Sequence, residues 1–407
     1  MSNQVVTIDM VARESLRIAH EKLSYIGTIN RDYDDSYAKV GAKIGDTLRV
    51  RNPNQYVRRQ GSRVMAVQDQ NETTQSITVA TQDGVDMKFN SAELALSIDE
   101  FSRRYIDPAV SVLVAGIEGD TLTAHTKLLY QTVGTAGTVV GASGDISAIT
   151  NARAKLNQQL APKDSNRAVQ FDSVTMGSVV NGLKALFQDA TQVKEAFREG
   201  FYSRNAMADW YENEKTWTLS NGSDVTGTLD AAALVTDGGS IMDMHTTVAV
   251  AVQALGMVFT VAGVYDCHPE TKQAYAHLKQ FTITGIGTST TTVSPPTYLT
   301  GAKKNVCSST GSDLATTFFN SATLTFWGLA STTYRQNIMY HKDFATFVTA
   351  DLPLMDDAAK CVRRVQDGLS LRVWQGSDIR NDELLMRLDI LYGSKVLRPE
   401  WAVRISN

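Results

Sequence analysis

Four kinds of residue group in this chain have types that can do chemistry. The first is GTAGTVVGASGDISAI, residues 134–149, a glycine-rich run that opens a helical pattern. Glycines let backbone amides close on a phosphate, and a helix N-terminus favours the anion. A dinucleotide site also needs a strand entering the loop and a ribose-binding acid about 20 residues further on. The text before Gly134 reads as helix, so the expectation is a connecting loop. Gly141-Ala142-Ser143-Gly144-Asp145 also misses a nucleophile elbow, which requires glycine two positions after the serine. The second group is Asp266-Cys267-His268 with His277. Its spacing matches no zinc pattern, and Pro269 marks a turn. The third comprises His341-Lys342-Asp343 and Asp356-Asp357. Neighbours in sequence diverge along a strand or turn, so solvated loops are expected there. No catalytic, cofactor-binding or metal-ligating residue is assigned.

The fourth group carries more weight. Arg49, Arg51, Arg58, Arg59 and Arg63 fall between Thr47 and Val67, a stretch without a single acid. Guanidinium forks match carboxylates bidentately, so ion pairing with an acidic neighbouring subunit is the expected use. The plain alternative is a solvated strand face. A nucleic-acid role is weaker, because only Tyr56 supplies an aromatic ring among these arginines.

The bulk of the chain suits a structural part. It has 407 residues, 43% hydrophobic and 20% charged, with a formal net charge of −4. That hydrophobic content supports a sizeable core and argues against disorder. The basic excess of a protein that grips nucleic acid is missing, though a wall can enclose DNA without holding it. Three widely spaced cysteines, Cys267, Cys307 and Cys361, make no disulfide framework and suggest synthesis in a reducing compartment. MSNQVVTIDMVARESL lacks a signal-peptide core, and no window approaches the roughly 20 apolar residues of a membrane span.

The elements that position these residues follow from periodicity. Residues 7–24 read as an amphipathic helix, with Ile8, Val11, Ala12, Ser15, Leu16, Ala19 and Leu23 near helical spacing. NRDYDDSYAKVGAKIGD then reads as an extended arm. From Thr47 the period becomes two, and Ile77, Val79 and Thr81 alternate after the basic loop. Asp83-Gly84 predicts a tight hairpin turn, returning through Val85, Met87 and Phe89. Residues 46–90 are thus expected to form a long ribbon with little apolar content at its tip. Such a ribbon is marginal alone and is expected to lie on a neighbouring subunit.

Ser97 with Glu100 predicts a capping box, and apolar spacing continues to Tyr130. This spine would span about 50 Å, with Pro108 kinking or interrupting it. Helices are expected near 146–160 and 173–188 and across ATQVKEAFREGFYS. Residues 220–317 turn rich in Thr, Ser, Gly and Val, with strand-like runs at 257–264 and 280–286. They predict an inserted all-β module. Leu369, Leu371 and Val373, then Met386, Leu388, Ile390 and Tyr392, predict closing strands.

Several stretches resemble one family: INRDYDDSYAKVGAKIGDTLRVRNP, VATQDGVDMKFNSAELALSIDEFSRRYIDPA, VFTVAGVYDCHPETKQAYAHLKQFTIT and LDILYGSKVLRPEWAV. In this order they are similar to the coat proteins of short-tailed Salmonella-type phages, with an α+β fold of the Hong-Kong-97 type. The resemblance implies an N-terminal arm at 1–45, an extended loop at 46–95, and a peripheral domain at 96–130 and 368–407. It further implies an apical domain at 131–224 and 318–367, with an inserted β-barrel at 225–317. Function would be assembly of an icosahedral shell enclosing double-stranded DNA, from pentamers and hexamers, guided by a scaffolding protein and a portal. The subunit would be made in the host cytoplasm, end in the virion, need no cofactor and meet no membrane. A bacterial compartment shell of the same fold is an alternative, as is a nucleotide-binding enzyme using the 134–145 loop. A tail-tube subunit or β-rich adhesin would lack the long helix.

Overall fold

The structure is a computed structural model that describes residues 8–31, 47–59, 61, 64–65, 67–68, 72–90, 102–183, 202–205, 208–230, 234–244, 253–287, 290–354, 360–366, 368–378 and 383–407. Residues 32–46 of the expected arm, the Ser97–Glu100 capping box, Arg63 and Asp356-Asp357 lie outside these residues.

The described chain starts with helices α1 (Ile8–Lys22) and α2 (Tyr25–Thr28), then strands β1 (Thr47–Arg51), β2 (Thr74–Thr78) and β3 (Thr81–Asn90). Helix α3 (Asp107–Leu128) leads to β4 (Thr132–Val133), α4 (Ser147–Gln158), β5 (Arg167–Phe171) and α5 (Ser173–Leu183). Next come β6 (Tyr202–Asn205), β7 (Ala208–Glu212), β8 (Thr218–Ser220), β9 (Thr226–Thr228) and β10 (Gly239–Met242). Strands β11 (Val258–Cys267), β12 (Ala274–Ile286), β13 (Thr291–Thr297), β14 (Val306–Cys307) and β15 (Thr323–Phe326) follow. The chain closes with β16 (Thr333–His341), β17 (Ala345–Ala350), β18 (Lys360–Gln366), β19 (Leu369–Asp378), β20 (Glu383–Val396) and β21 (Ala402–Ser406). Helices and sheets are mixed throughout, so the fold is α+β, as the sequence led us to expect.

The chain divides into two compact units, and the division falls within α3. The first holds residues 1–51, 74–121 and 345–397. Its main sheet runs β17-β20-β19-β18, with β3 pairing β20. On α1, Ile8, Val11, Ala12, Ser15, Leu16 and Ala19 are all buried, as the helical spacing requires. The period-two residues Leu371, Val373, Leu388 and Ile390 are buried in the sheet. Arg372 and Asp389, opposite each other on β19 and β20, form a buried ion pair at 2.6 Å.

One expectation fails in this unit. Asp83-Gly84 is no turn: β3 runs unbroken from Thr81 to Asn90, and Gly84 lies opposite Asp389 of β20. A Cβ at Gly84 would stand 2.5 Å from Asp389 Oδ1 and 2.7 Å from the Leu388 carbonyl oxygen. Close strand approach, not positive φ, is what requires glycine here. The ribbon is therefore β1 with β2 alone, and β3 belongs to the body. The expected start of the spine, residues 97–101, lies outside the described residues. The α-helical part has 22 residues, about 33 Å at the usual rise, entered through one π-helical turn at Ser102–Ile106. Pro108 sits in the first turn of α3, where its missing N–H costs no bond within that helix.

The second unit holds residues 52–73, 122–344 and 398–407. One sheet runs β4-β21-β16-β5-β7-β6, with α4 and α5 over a core of Ile149, Leu156, Val169, Phe171, Trp210 and Met339. Of ATQVKEAFREGFYS, expected to be helical, residues 190–201 lie outside the described residues, and Tyr202 and Ser203 stand in β6. The other sheet, β10-β13-β12-β11-β15-β9, surrounds its own core, including Phe259 stacked on Phe281 at 5.7 Å. Arg404 of β21 is fully buried, and among the described residues no carboxylate pairs with it. It donates to the carbonyls of Gly256 (2.6 Å) and Lys127 (3.1 Å) and to Thr282 Oγ1 (3.1 Å). Burial lowers its pKa to about 9.

Candidate assembly surface

The first unit provides the base of the ribbon. Leu48 pairs Ile77 and Val50 pairs Gln75 in an antiparallel ladder. Ile77 and Val79 are fully buried in a cluster with Val348, Ala350, Leu352 and Leu391, and Val50 packs against it. Gln75 Nε2 donates to the Leu397 carbonyl at 2.9 Å, and Lys395 Nζ to the Ser76 carbonyl at 2.8 Å. Arg49 and Arg51, two apart on β1, share a face and are exposed.

Residues 52–73 belong to the second unit. Gln68 clamps Val57 there: its Oε1 accepts the Val57 N–H at 2.8 Å and its Nε2 donates to the Val57 carbonyl at 2.6 Å. Arg59 Nη1 donates to the Val64 carbonyl. Arg58 and Arg59 are exposed. Val64, Met65 and Val67 are 76%, 78% and 85% exposed, and Tyr56 and Val57 are also open to solvent. The tip is thus more apolar than the sequence suggested. These residues show no period of two or 3.6, so pattern reading passes over them. The four described arginines form two patches, one on β1 and one on the tip.

The other candidate groups resolve differently. The glycine run is entered by a strand after all, the short β4, which pairs in parallel with β21. Its glycines serve close packing. A Cβ at Gly141, where φ is +85°, would meet Val179 Cα at 2.5 Å, and one at Gly134 would strike the Ser406 carbonyl. Asp145 Oδ1 accepts the Ser147 N–H at 2.8 Å, so a carboxylate already occupies the start of α4. That hydrogen bond, together with one from the Ser147 side chain, holds Asp145 below the ordinary aspartate pKa.

Asp266 is engaged by protein groups: Lys279 Nζ at 2.8 Å, Gln159 Nε2 at 2.8 Å and His277 Nε2 at 3.4 Å. Burial pushes its pKa up, but the Lys279 charge and these hydrogen bonds outweigh that and hold it low. His268 Nδ1 accepts the Glu270 and Thr271 N–H groups and fixes its turn. His341 is not in a solvated loop as expected. It is buried at the end of β16, its Nε2 3.0 Å from Asp164 Oδ1 and its Nδ1 accepting the Asp343 N–H. With Nδ1 an acceptor, Nε2 carries the proton. Among the described residues no group of three His, Cys, Asp or Glu side chains could hold a metal. No described helix is long and apolar enough to cross a membrane.

Between β1 and β2 the chain thus carries exposed arginines, Arg58 and Arg59, and exposed apolar side chains, Val64, Met65 and Val67. The chain belongs to the coat protein family described as P22 coat protein, gene protein 5, whose model matches residues 69–405. No curated protein sequence matches it. Among solved structures, it is similar to a chain from Mycobacterium phage Che8, with 11% identity, TM-score 0.48, and coverage of 94% of this chain and 90% of that one. A capsid of Ralstonia phage GP4 gives 9% identity, TM-score 0.42 and coverage of 100% and 94%. A virus-like particle from Pyrococcus furiosus gives 8%, 0.41, and 98% of each chain. These structural likenesses are loose, and the family assignment rests on the family model.

Proposed function

We propose that this chain is the major coat protein of a tailed phage and builds its shell by laying the ribbon of each subunit on the next. Family membership carries the coat function; the exposed Val64, Met65 and Val67 beside Arg58 and Arg59 support the ribbon as the grip. A closed shell of one sequence needs heterologous contacts, one surface meeting a different surface next door. A ribbon supplies them because it extends contact beyond the globular body, and obligate interfaces often exceed about 2,000 Å².

In this reading the subunit has the Hong-Kong-97-type layout. Residues 1–45 serve as arm and 46–95 supply the extended loop, its β3 joined to the sheet of the body, with 96–130 and 368–407 as peripheral domain, 131–224 and 318–367 as apical domain, and 225–317 as inserted barrel. Subunits join as hexamers and pentamers on an icosahedral lattice in the host cytoplasm, with a scaffolding protein and a portal. The shell encloses DNA without reading it, and the role is structural, not catalytic. Arg49 and Arg51 of one subunit, with Arg58, Arg59 and Arg63 of its tip, pair acidic groups on the neighbour.

The experiment is charge reversal: Arg58→Glu, Arg59→Glu and Arg63→Glu together, co-expressed with scaffold and viewed by negative-stain microscopy. Folded subunits by circular dichroism with no shells support the reading. Normal shells overturn the ribbon grip and leave the coat assignment standing.

A further inference from the structure

Two of the three cysteines lie on neighbouring strands inside the β-module, apart from the arginines proposed for assembly. β11 and β14 pair antiparallel with Tyr265 opposite Cys307 and Asp266 opposite Val306. Side chains two apart on a strand share a face, so Cys267 and Cys307 lie on the same face as diagonal neighbours. The register of β11 with β12 also shifts between Tyr265 and Cys267, a local bend of the kind that re-aims a side chain. Both thiols are buried, and the neighbouring Cys307 side chain helps to raise the Cys267 pKa. The Cys307 thiol faces the carbonyls of Tyr265 and Asp266, each at 3.9 Å.

The surroundings favour a covalent bond over a metal. Beside the pair stands the buried Lys304, whose Nζ donates to the Gly311 carbonyl at 2.8 Å and pairs with Asp313. Lys272 Nζ donates to the Lys304 carbonyl at 3.2 Å. Two cations near two sulfurs repel a divalent ion and supply no third ligand. Neutral buried sulfurs joined to each other lose nothing by this.

We propose that Cys267 and Cys307 are a redox-responsive pair that forms an intrachain disulfide on exposure to a small peroxide, tying the two-residue β14 to β11. The balance is simple. One cysteine, as thiolate, attacks a peroxide oxygen, the O–O bond breaks, and a sulfenic acid forms while hydroxide takes that thiol's proton as water. The second sulfur attacks the sulfenic sulfur, the S–S bond forms, and the expelled hydroxide leaves as water with the second proton. Two electrons pass from the cysteines to one peroxide. Burial and the neighbouring Cys307 raise the Cys267 pKa, so the thiol stays protonated and the reaction is slow. Short β14, paired to β11, is the element whose local opening admits the oxidant.

The test uses the full chain carrying Cys361→Ser, treated with hydrogen peroxide, quenched, then unfolded with an alkylating agent and mapped by non-reducing mass spectrometry. The expected product is lighter by two hydrogens, with Cys267 and Cys307 peptides cross-linked, neither alkylated, and both recovered on reduction. Amide exchange at Val306 and Cys307 slows by about tenfold or more in the oxidised chain. Alkylation of both cysteines after treatment, over-oxidation of one without a cross-link, or a bond only between chains overturns the proposal. If Cys361→Ser does not fold, the same map on the unaltered chain decides, because the cross-linked peptides identify their cysteines. Cys307→Ala then abolishes the bond, and a Cys267 cross-link to Cys361 overturns it.

Discussion

His125 makes the stability of this subunit depend on pH in a calculable way. The imidazole lies buried on α3, edge-on to Phe344 at 6.0 Å, and desolvation lowers its pKa from 6.5 to about 3. The folded state therefore refuses a proton that the unfolded chain accepts. With the folded pKa depressed, stability is fully present above about pH 6.5 and falls as pH drops towards 3. At pH 5, about 1.5 pH units below the unfolded pKa, the unfolded chain binds about one proton that the folded one lacks, which favours unfolding by about 2 kcal/mol. That is a large share of a stability of roughly 5–15 kcal/mol. The assay compares urea midpoints of the unaltered chain and His125→Leu from pH 8 to pH 5. Leucine changes packing by an amount independent of pH, so only the divergence between the curves reports the histidine. The curves should run parallel above about pH 7 and separate below about pH 6.5, the unaltered chain losing more. Parallel curves down to pH 5 would refute the claim that His125 is buried neutral.

Two further substitutions probe the first unit. Gly84→Ala places a methyl 2.5 Å from Asp389 Oδ1 and 2.7 Å from the Leu388 carbonyl, so a cost of about 1–3 kcal/mol is expected in the urea midpoint. If Asp83-Gly84 were a turn tip after all, the midpoint would hardly move. Asp389→Ala strips the buried Arg372 of its carboxylate and should cost about 3–5 kcal/mol. The paired change Arg372→Met with Asp389→Leu should recover most of that, as a melt of the double variant would reveal.

What pattern reading recovers here is whatever one element decides by itself. Burial on α1 follows its helical spacing, and β19 and β20 follow their alternation, because each needs only a core on one side. Asp83-Gly84 was misread because the turn signal is local, whereas the need for glycine comes from Asp389, far away on β20. His341 was misread for the same reason, since its partner Asp164 stands 177 residues away. The arginines were visible because a run of five without an acid needs no partner to be noticed. The apolar tip beside them carries no periodicity, and only exposure in the folded chain reveals it.

In the proposed ribbon contact, that exposure separates two sources of grip between subunits. Burying a valine or methionine side chain contributes about 1.5–3 kcal/mol, so Val64, Met65 and Val67 offer several kcal/mol per contact, before the entropy of ordering the tip is charged against it. The arginine pairing is weaker in salt, because charges separated by more than about 8 Å are screened at physiological ionic strength. The apolar term has no such dependence. Val64→Ser, Met65→Ser and Val67→Ser together should therefore raise the concentration needed for shells equally at low and high salt. Charge reversal at Arg58 and Arg59 should raise it mainly at low salt. Light scattering of assembly across a salt series reads both. If the serine variant assembles like the unaltered chain at every salt concentration, the tip is not buried between subunits, and its apolar residues need another explanation.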